Sequence, residues 1–289
     1  MYAKYVSVIG ATMANVLSDL ARLIAGESIA SLSASCDKVN TEIMYGSANT
    51  GWGVHDISAP TAAHGVILSA PDADGLATKY VSLSSYSATE IAMSAYETFN
   101  NVSHTGTNRT GTDMGSGYRI LFSTTTVNTY YIVATPRLLA IGSDFAHQMS
   151  MAIEFTREMK YLKGTNYPAF GIWNIGNIAR NWGINIPRVK NPTALGDLTG
   201  NVGAFVQGIG GTAGVTSITP VRDQYEQLYH QLVPAFANTL NNVGPYIGTL
   251  RDIFFFTKNY GKGGDELSTD DGEFLIIESG EWRLALKKG

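Results

Sequence analysis

The sequence predicts a mostly β fold of α+β character, a β-sandwich-like domain with an N-terminal helix and a long irregular insertion. Short runs rich in β-branched and aromatic residues recur between turn residues at a spacing of about 8–12 positions, as in sandwiches and barrels. Helical spacing is confined to the segment ending at Gly26 and to one brief later stretch. The chain of 289 residues exceeds the usual domain of roughly 100–200 residues, yet it suits one large β domain carrying insertions.

Ile9, Met13, Val16, Leu17, Leu20 and Ile24 fall three and four apart and so share one face of a helix. Gly26 is the expected stop. Asn15, Ser18, Asp19 and Arg22 occupy the other side, so the apolar stripe must dock, either on the protein's own sheet or on a neighbouring subunit.

From Lys38 the period shifts toward two. Strands are expected at Thr41–Tyr45, Trp52–Ile57, Gly65–Ser69, Lys79–Ser84, Glu90–Glu97, Tyr118–Phe122, Thr129–Ala134, Leu138–Ile141 and Ser150–Glu158. Asp72-Ala73-Asp74-Gly75 marks a tight reversal, because Asp and Gly tolerate the left-handed backbone that hairpins need. Residues 98–117, rich in Gly, Thr and Asn, read as an exposed loop.

Lys160 to Pro245 shows no sustained period, and Gly, Pro and Asn punctuate Phe170, Trp173, Trp182, Phe205 and Tyr225. Such aromatics argue against disorder and make these five residues candidate interface anchors, with a flap packed on its own sheet as the alternative. Tyr225, Leu228, Tyr229 and Leu232 predict a short helix before Pro234. Strand patterns return at Thr249–Thr257, Glu273–Ile277 and Trp282–Leu286, with turns at 261–264 and at Ser279-Gly280. The expected organisation is a helical segment at 1–36, a sandwich-like domain at 37–160, a loop-rich insertion at 161–245, and C-terminal strands at 246–289 that complete the sheet.

Charged residues make up only 15% of the chain, against a globular average of about 25%, so neutral polar groups cover much of the surface. A net charge of −4 lacks the broad positive potential that direct nucleic-acid binding requires. The lone Cys36 rules out an internal disulfide, fits folding in a reducing cytoplasm, and reads as a small buried hydrophobe. Residues 1–10 lack the pattern of a secretion signal, and no run approaches the roughly 18 apolar residues of a membrane span, so neither export nor membrane insertion is expected. On that expectation the triplets Asn101-Val102-Ser103 and Asn108-Arg109-Thr110 are chance glycosylation matches.

No motif for catalysis, metal or cofactor stands out. Gly208, Gly210, Gly211 and Gly214 approach a dinucleotide loop but depart from its spacing and lack its strand-to-helix setting. His55, His64, His104, His147 and His230 are scattered, read as turn or surface histidines, and come with no cysteine pair for zinc. Asp72–Gly75 and Asp270-Asp271-Gly272 lack the ligand series of an EF-hand loop, and Ser116 does not sit in a nucleophile elbow.

Several stretches resemble those of tailed-bacteriophage virion structural proteins. They are Gly51-Trp52-Gly53-Val54, Tyr96-Glu97-Thr98-Phe99-Asn100 and Tyr130-Tyr131-Ile132-Val133-Ala134-Thr135-Pro136-Arg137. Gly248-Thr249-Leu250-Arg251-Asp252-Ile253-Phe254-Phe255, Asp271-Gly272-Glu273-Phe274-Leu275 and Trp282-Arg283-Leu284-Ala285-Leu286 complete the set. The resemblance implies a non-catalytic tail, baseplate or neck subunit of the virion, made in the host cytoplasm and partnered by other virion proteins and by copies of itself. It carries no catalytic residues across and barely touches Lys160 to Pro245. Two other readings stand beside it: a receptor- or carbohydrate-binding adhesin of the tail that meets a host-surface glycan, and a polysaccharide-degrading enzyme with a facing pair of carboxylates.

Overall fold

The computed structural model describes residues 1–71, 78–96, 98–107, 110–111, 120–143, 148–155, 169–173, 183–186, 202–207, 221–222, 228–229, 233–239, 246–256, 264–279 and 282–289. Its strands run β1 Tyr2–Val6, β2 Glu42–Tyr45, β3 Gly53–Asp56, β4 Val66–Ser69, β5 Tyr80–Ser87 and β6 Glu90–Tyr96. Next come β7 Thr98–Asn100, β8 Thr105–Thr107, β9 Thr110–Gly111, β10 Ile120–Leu121, β11 Thr129–Ala134, β12 Leu138–Ser143 and β13 Gln148–Phe155. The rest are β14 Ala169–Trp173, β15 Gly183–Ile186, β16 Val202–Gln207, β17 Val221–Arg222, β18 Leu228–Tyr229, β19 Val233–Thr239, β20 Tyr246–Phe256, β21 Glu266–Thr269, β22 Gly272–Ser279 and β23 Trp282–Lys287. The mostly β expectation holds.

A single α-helix among the described residues, α1, spans Met13–Ile24. Thr12 caps it, its hydroxyl oxygen accepting the Asn15 N–H at 3.3 Å. Gly26 ends it as expected, in the left-handed conformation at φ 88°. The Gly26 N–H donates to the Leu23 carbonyl and the Glu27 N–H to the Arg22 carbonyl, the paired bonds of a Schellman motif.

Two corrections apply to this segment. Ile9 is not on the helix; it precedes the Thr12 cap, beside the positive-φ Gly10, and is 67% exposed. Asp19 does not face solvent but is buried at 1% exposure, where it accepts from the Tyr5 hydroxyl at 3.1 Å, the Ser33 N–H at 2.8 Å and the Ser33 hydroxyl at 2.7 Å.

The helical segment expected at 1–36 also contains β1, an interior strand between β11 and β2. Tyr2, Ala3, Tyr5 and Val6 are all buried, so the strand shows no alternation and its period is silent in the sequence. Tyr5 pairs with Tyr130 of β11, and their rings stack with centroids 6.2 Å apart.

Among the described residues the large sheet has thirteen strands, in the order β15-β16-β19-β20-β23-β22-β13-β12-β11-β1-β2, with β14 also on β13 and β21 also on β22. A second sheet runs β10-β6-β5-β4-β3, with β9 also on β6. One core joins the two sheets and α1: Ala3, Tyr5, Tyr130, Ile132 and Leu139 meet Val66, Leu68, Val81, Leu83 and Met93, with Val16, Leu17, Leu20 and Ile24 among them. The helix packs on β3, β4 and β5, so its stripe docks within the chain. Each fully buried aliphatic side chain contributes roughly 1.5–3 kcal/mol, which is why the stripe fixes the helix here.

The C-terminal strands lie in the large sheet: β23 lies between β20 and β22, and β22 meets β13 in a parallel contact at Gln148 and Glu278. Within 161–245 the described residues are strands, and β16 and β19 carry the sheet outward from β20. The helix expected over Tyr225–Leu232 is corrected: Leu228 and Tyr229 form β18, paired with Val221 and Arg222. The loop expected at 98–117 is corrected in part, since β7 and β8 form a hairpin whose Thr side chains alternate with Phe99 and Gly106. The Asp72–Gly75 reversal lies outside the described residues.

Candidate functional site

Three residues distant in sequence meet beside the edge strand β3. Asp56 ends β3, His64 lies in the turn before β4, and His104 lies in the turn of the β7–β8 hairpin. One oxygen of Asp56 and one ring nitrogen from each histidine all lie within 4.8 Å of one another.

Local structure fixes each member. The Asp56 Oδ1 accepts the Ser58 N–H at 3.0 Å and the Ser58 hydroxyl at 2.7 Å, which leaves Oδ2 to meet His104 Nδ1 at 2.6 Å. Burial pushes the Asp56 carboxyl pKa up, but the Ser58 bonds and His104 outweigh it, and the group stays below its usual range. His64 is held through its backbone, whose carbonyl accepts the Ser82 hydroxyl. Gly65, next in sequence, has φ 68°, and a Cβ there would sit 2.0 Å from the Leu83 carbonyl oxygen, so only glycine makes this turn. His104 has φ 52°, the one positive value at a non-glycine residue among those described.

The His64 and His104 rings stack at 4.5 Å and 10°. Burial, and then the neighbouring His104 charge, depress the His64 pKa, with Asp56 opposing them. Among the described residues the buried His64 Nε2 has no hydrogen-bond partner, nor does His55 Nε2. Phe99 lies 6.3 Å from the His64 ring and 6.1 Å from that of His55, and Tyr80 lies 4.6 Å from His55, so aromatic rings wall the cluster.

Chemically, two imidazoles and a carboxylate form a set of metal donors. The Asp56–His104 bond also has the form of the orienting half of a catalytic triad, but no hydroxyl or thiol is bonded to His104 among the described residues. The sequence reads His64 and His104 as turn or surface histidines; both lie in turns, but it misses their meeting, because 40 residues separate them and no local spacing signals it.

A second convergence joins three stretches distant in sequence, around Trp52, Thr135 and Asp252. Trp52 donates its indole N–H to the Thr135 carbonyl at 2.7 Å, the Thr135 hydroxyl meets Asp252 Oδ2 at 3.4 Å, and Arg137 Nε pairs with the same oxygen at 3.4 Å.

Of the interface candidates, Phe170 and Trp173 lie on β14 and Phe205 on β16, where only the strand path is described. Trp182 and Tyr225 lie outside the described residues, as do His147, His230, Ser116 and Gly208–Gly214. The turn at Asp270-Asp271 is as expected, linking β21 to β22. No helix among the described residues is long and apolar enough to cross a membrane. Comparison with known families gives no matching model, and no curated protein is significantly similar to the chain.

Proposed function

We propose that this chain is a non-catalytic structural subunit of a bacteriophage particle, a tail or baseplate component that assembles with copies of itself and with other virion proteins. The observations that support this reading are a composition with only 15% charged residues and large apolar side chains exposed on two adjoining segments. The Ser7 N–H donates to the Asn128 carbonyl at 2.8 Å and the Gly10 N–H to the Thr124 carbonyl at 2.9 Å, which lays 7–10 beside 124–128. Ile9 and Val127, 67% and 50% exposed, therefore sit on neighbouring segments. The edge of β2 beyond β1 is likewise free of strand pairing among the described residues and offers a template for adding a strand. Obligate interfaces are built from such apolar and backbone surfaces rather than from charge.

Light scattering on the purified chain, alone and mixed with an extract of phage-infected cells, tests the proposal. A discrete oligomer, or co-migration with tail proteins, is the expected result. Ile9→Lys with Val127→Lys, and separately Trp173→Ala with Trp182→Ala, should abolish assembly while leaving the circular dichroism spectrum intact. A monomer that ignores virion proteins and binds a cell-surface glycan would overturn the reading in favour of the adhesin.

A further inference from the structure

We propose that Asp56, His64 and His104 bind one divalent first-row transition-metal ion, zinc being the best match, and that the ion clips the β7–β8 hairpin to the edge of the second sheet. Two imidazoles and one carboxylate are the borderline donors that such ions prefer, and they are too few and too nitrogen-rich for calcium or magnesium. Zinc bonds of about 2.0–2.1 Å at a tetrahedral angle place ligand atoms about 3.3 Å apart. The donors here lie within 4.8 Å of one another, with Asp56 Oδ2 and His104 Nδ1 at 2.6 Å, so ring rotation must bring the wider pairs in by up to about 1.5 Å and open that pair by about 0.7 Å.

Three features mark a built site rather than a chance meeting of side chains. The Asp56 carboxylate is already oriented by the Ser58 N–H and hydroxyl, the outer bonds that ligating carboxylates carry. His64 Nε2 is buried without a hydrogen-bond partner among the described residues, a cost that a metal bond removes if Nε2 is the ring nitrogen that ligates. His104 adopts a left-handed backbone, a conformation kept where the surroundings enforce it, and this turn brings the ring over Asp56. In the metal-bound state the ion replaces the proton between Asp56 Oδ2 and His104 Nδ1, which passes to His104 Nε2 from a neutral ring or to solvent from a cationic one, and the remaining position is left for water or for a donor from outside the cluster.

The structural gain follows from topology. The β7–β8 hairpin forms a two-stranded sheet of its own, without strand pairing to either larger sheet among the described residues. Phe99, packed with Tyr80, Tyr96 and Ile67, and the Asp56–His104 bond hold it in place. An ion bound across that seam stabilises the folded chain through its preference for the native state.

The full-length chain, stripped with EDTA and dialysed, is titrated with Zn²⁺ while retained metal is counted by atomic emission and the melting temperature is followed. One equivalent per chain and a rise in melting temperature are expected, with slower proteolysis in the 100–105 turn. His64→Gln and His104→Gln should each weaken binding at least tenfold, and His55→Gln should leave it unchanged. Cobalt substitution in the unaltered protein should give ligand-field bands of nitrogen and oxygen donors, a readout that needs no variant to fold. Absence of both retained zinc and cobalt bands overturns the proposal, as does undiminished binding in a folded His64→Gln/His104→Gln double variant.

Discussion

Trp52 and Thr135, 83 residues apart, are joined by an indole N–H to carbonyl bond of 2.7 Å inside the core. The Trp52 ring is 3% exposed, and the Thr135 side chain in turn accepts the N–H groups of Arg137 and Leu138, which fixes the turn between β11 and β12. Trp52→Phe keeps most of the apolar contact but strands a buried carbonyl, so a loss of about 1–3 kcal/mol is expected in urea unfolding. A loss below about 0.3 kcal/mol would show that the carbonyl finds another donor.

Asp19 and Tyr5 supply a graded pair of variants. Tyr5→Phe removes one donor to Asp19 and should cost about 1 kcal/mol. Asp19→Ala removes the acceptor for three bonds at once and should cost about 2–4 kcal/mol, most of it from polar groups left buried. Equal losses in thermal or urea melts would show that only the Tyr5 contact matters.

Lys288 is fully buried, its ammonium 2.7 Å from Glu266, 3.9 Å from Glu273 and 4.3 Å from the Tyr45 ring centre. Glu266→Ala leaves that charge with a weaker partner and should destabilise by about 1–3 kcal/mol, a figure reduced because Glu266 itself is half exposed. Lys288→Met removes the charge together with its desolvation cost and should lose less, since the methionine can still pack on Tyr2 and Tyr45. The opposite order, measured by urea unfolding, would mean that the ion pair is a net stabiliser.

Cys36 is buried, its thiol is 3.3 Å from the Thr41 hydroxyl, and burial raises its pKa above that of a free thiol. The reactive thiolate is therefore scarce at pH 8 and shielded from reagent. Native protein should react with a disulfide reagent far more slowly than the urea-unfolded chain, at least a hundredfold at equal pH. Comparable rates would place Cys36 on a mobile surface segment instead.

What local sequence could specify, it specified well. Thr129–Ala134 is a strand with the expected bounds, and Glu42–Tyr45, Val66–Ser69 and Glu90–Tyr96 differ from expectation by a residue at one end. Each is bounded by turn residues and rich in β-branched or aromatic side chains, so period and punctuation agree. Gly26 stopped the helix because the left-handed backbone of a Schellman turn favours glycine whatever the surroundings.

Tertiary structure decided the rest. Burial on both faces erased the alternation of β1, so Tyr2–Val6 carried no period to read. The polar Asp19 went inward because Tyr5 and Ser33 supply donors from elsewhere in the chain. Asp56, His64 and His104 lie on two turns and a strand end, and their meeting depends on where the β7–β8 hairpin folds back over the sheet edge. A sequence determines propensity and period because these act over a few residues. It leaves the pairing of distant side chains to the folded chain, where burial makes each unpaired polar atom costly enough to select its partner.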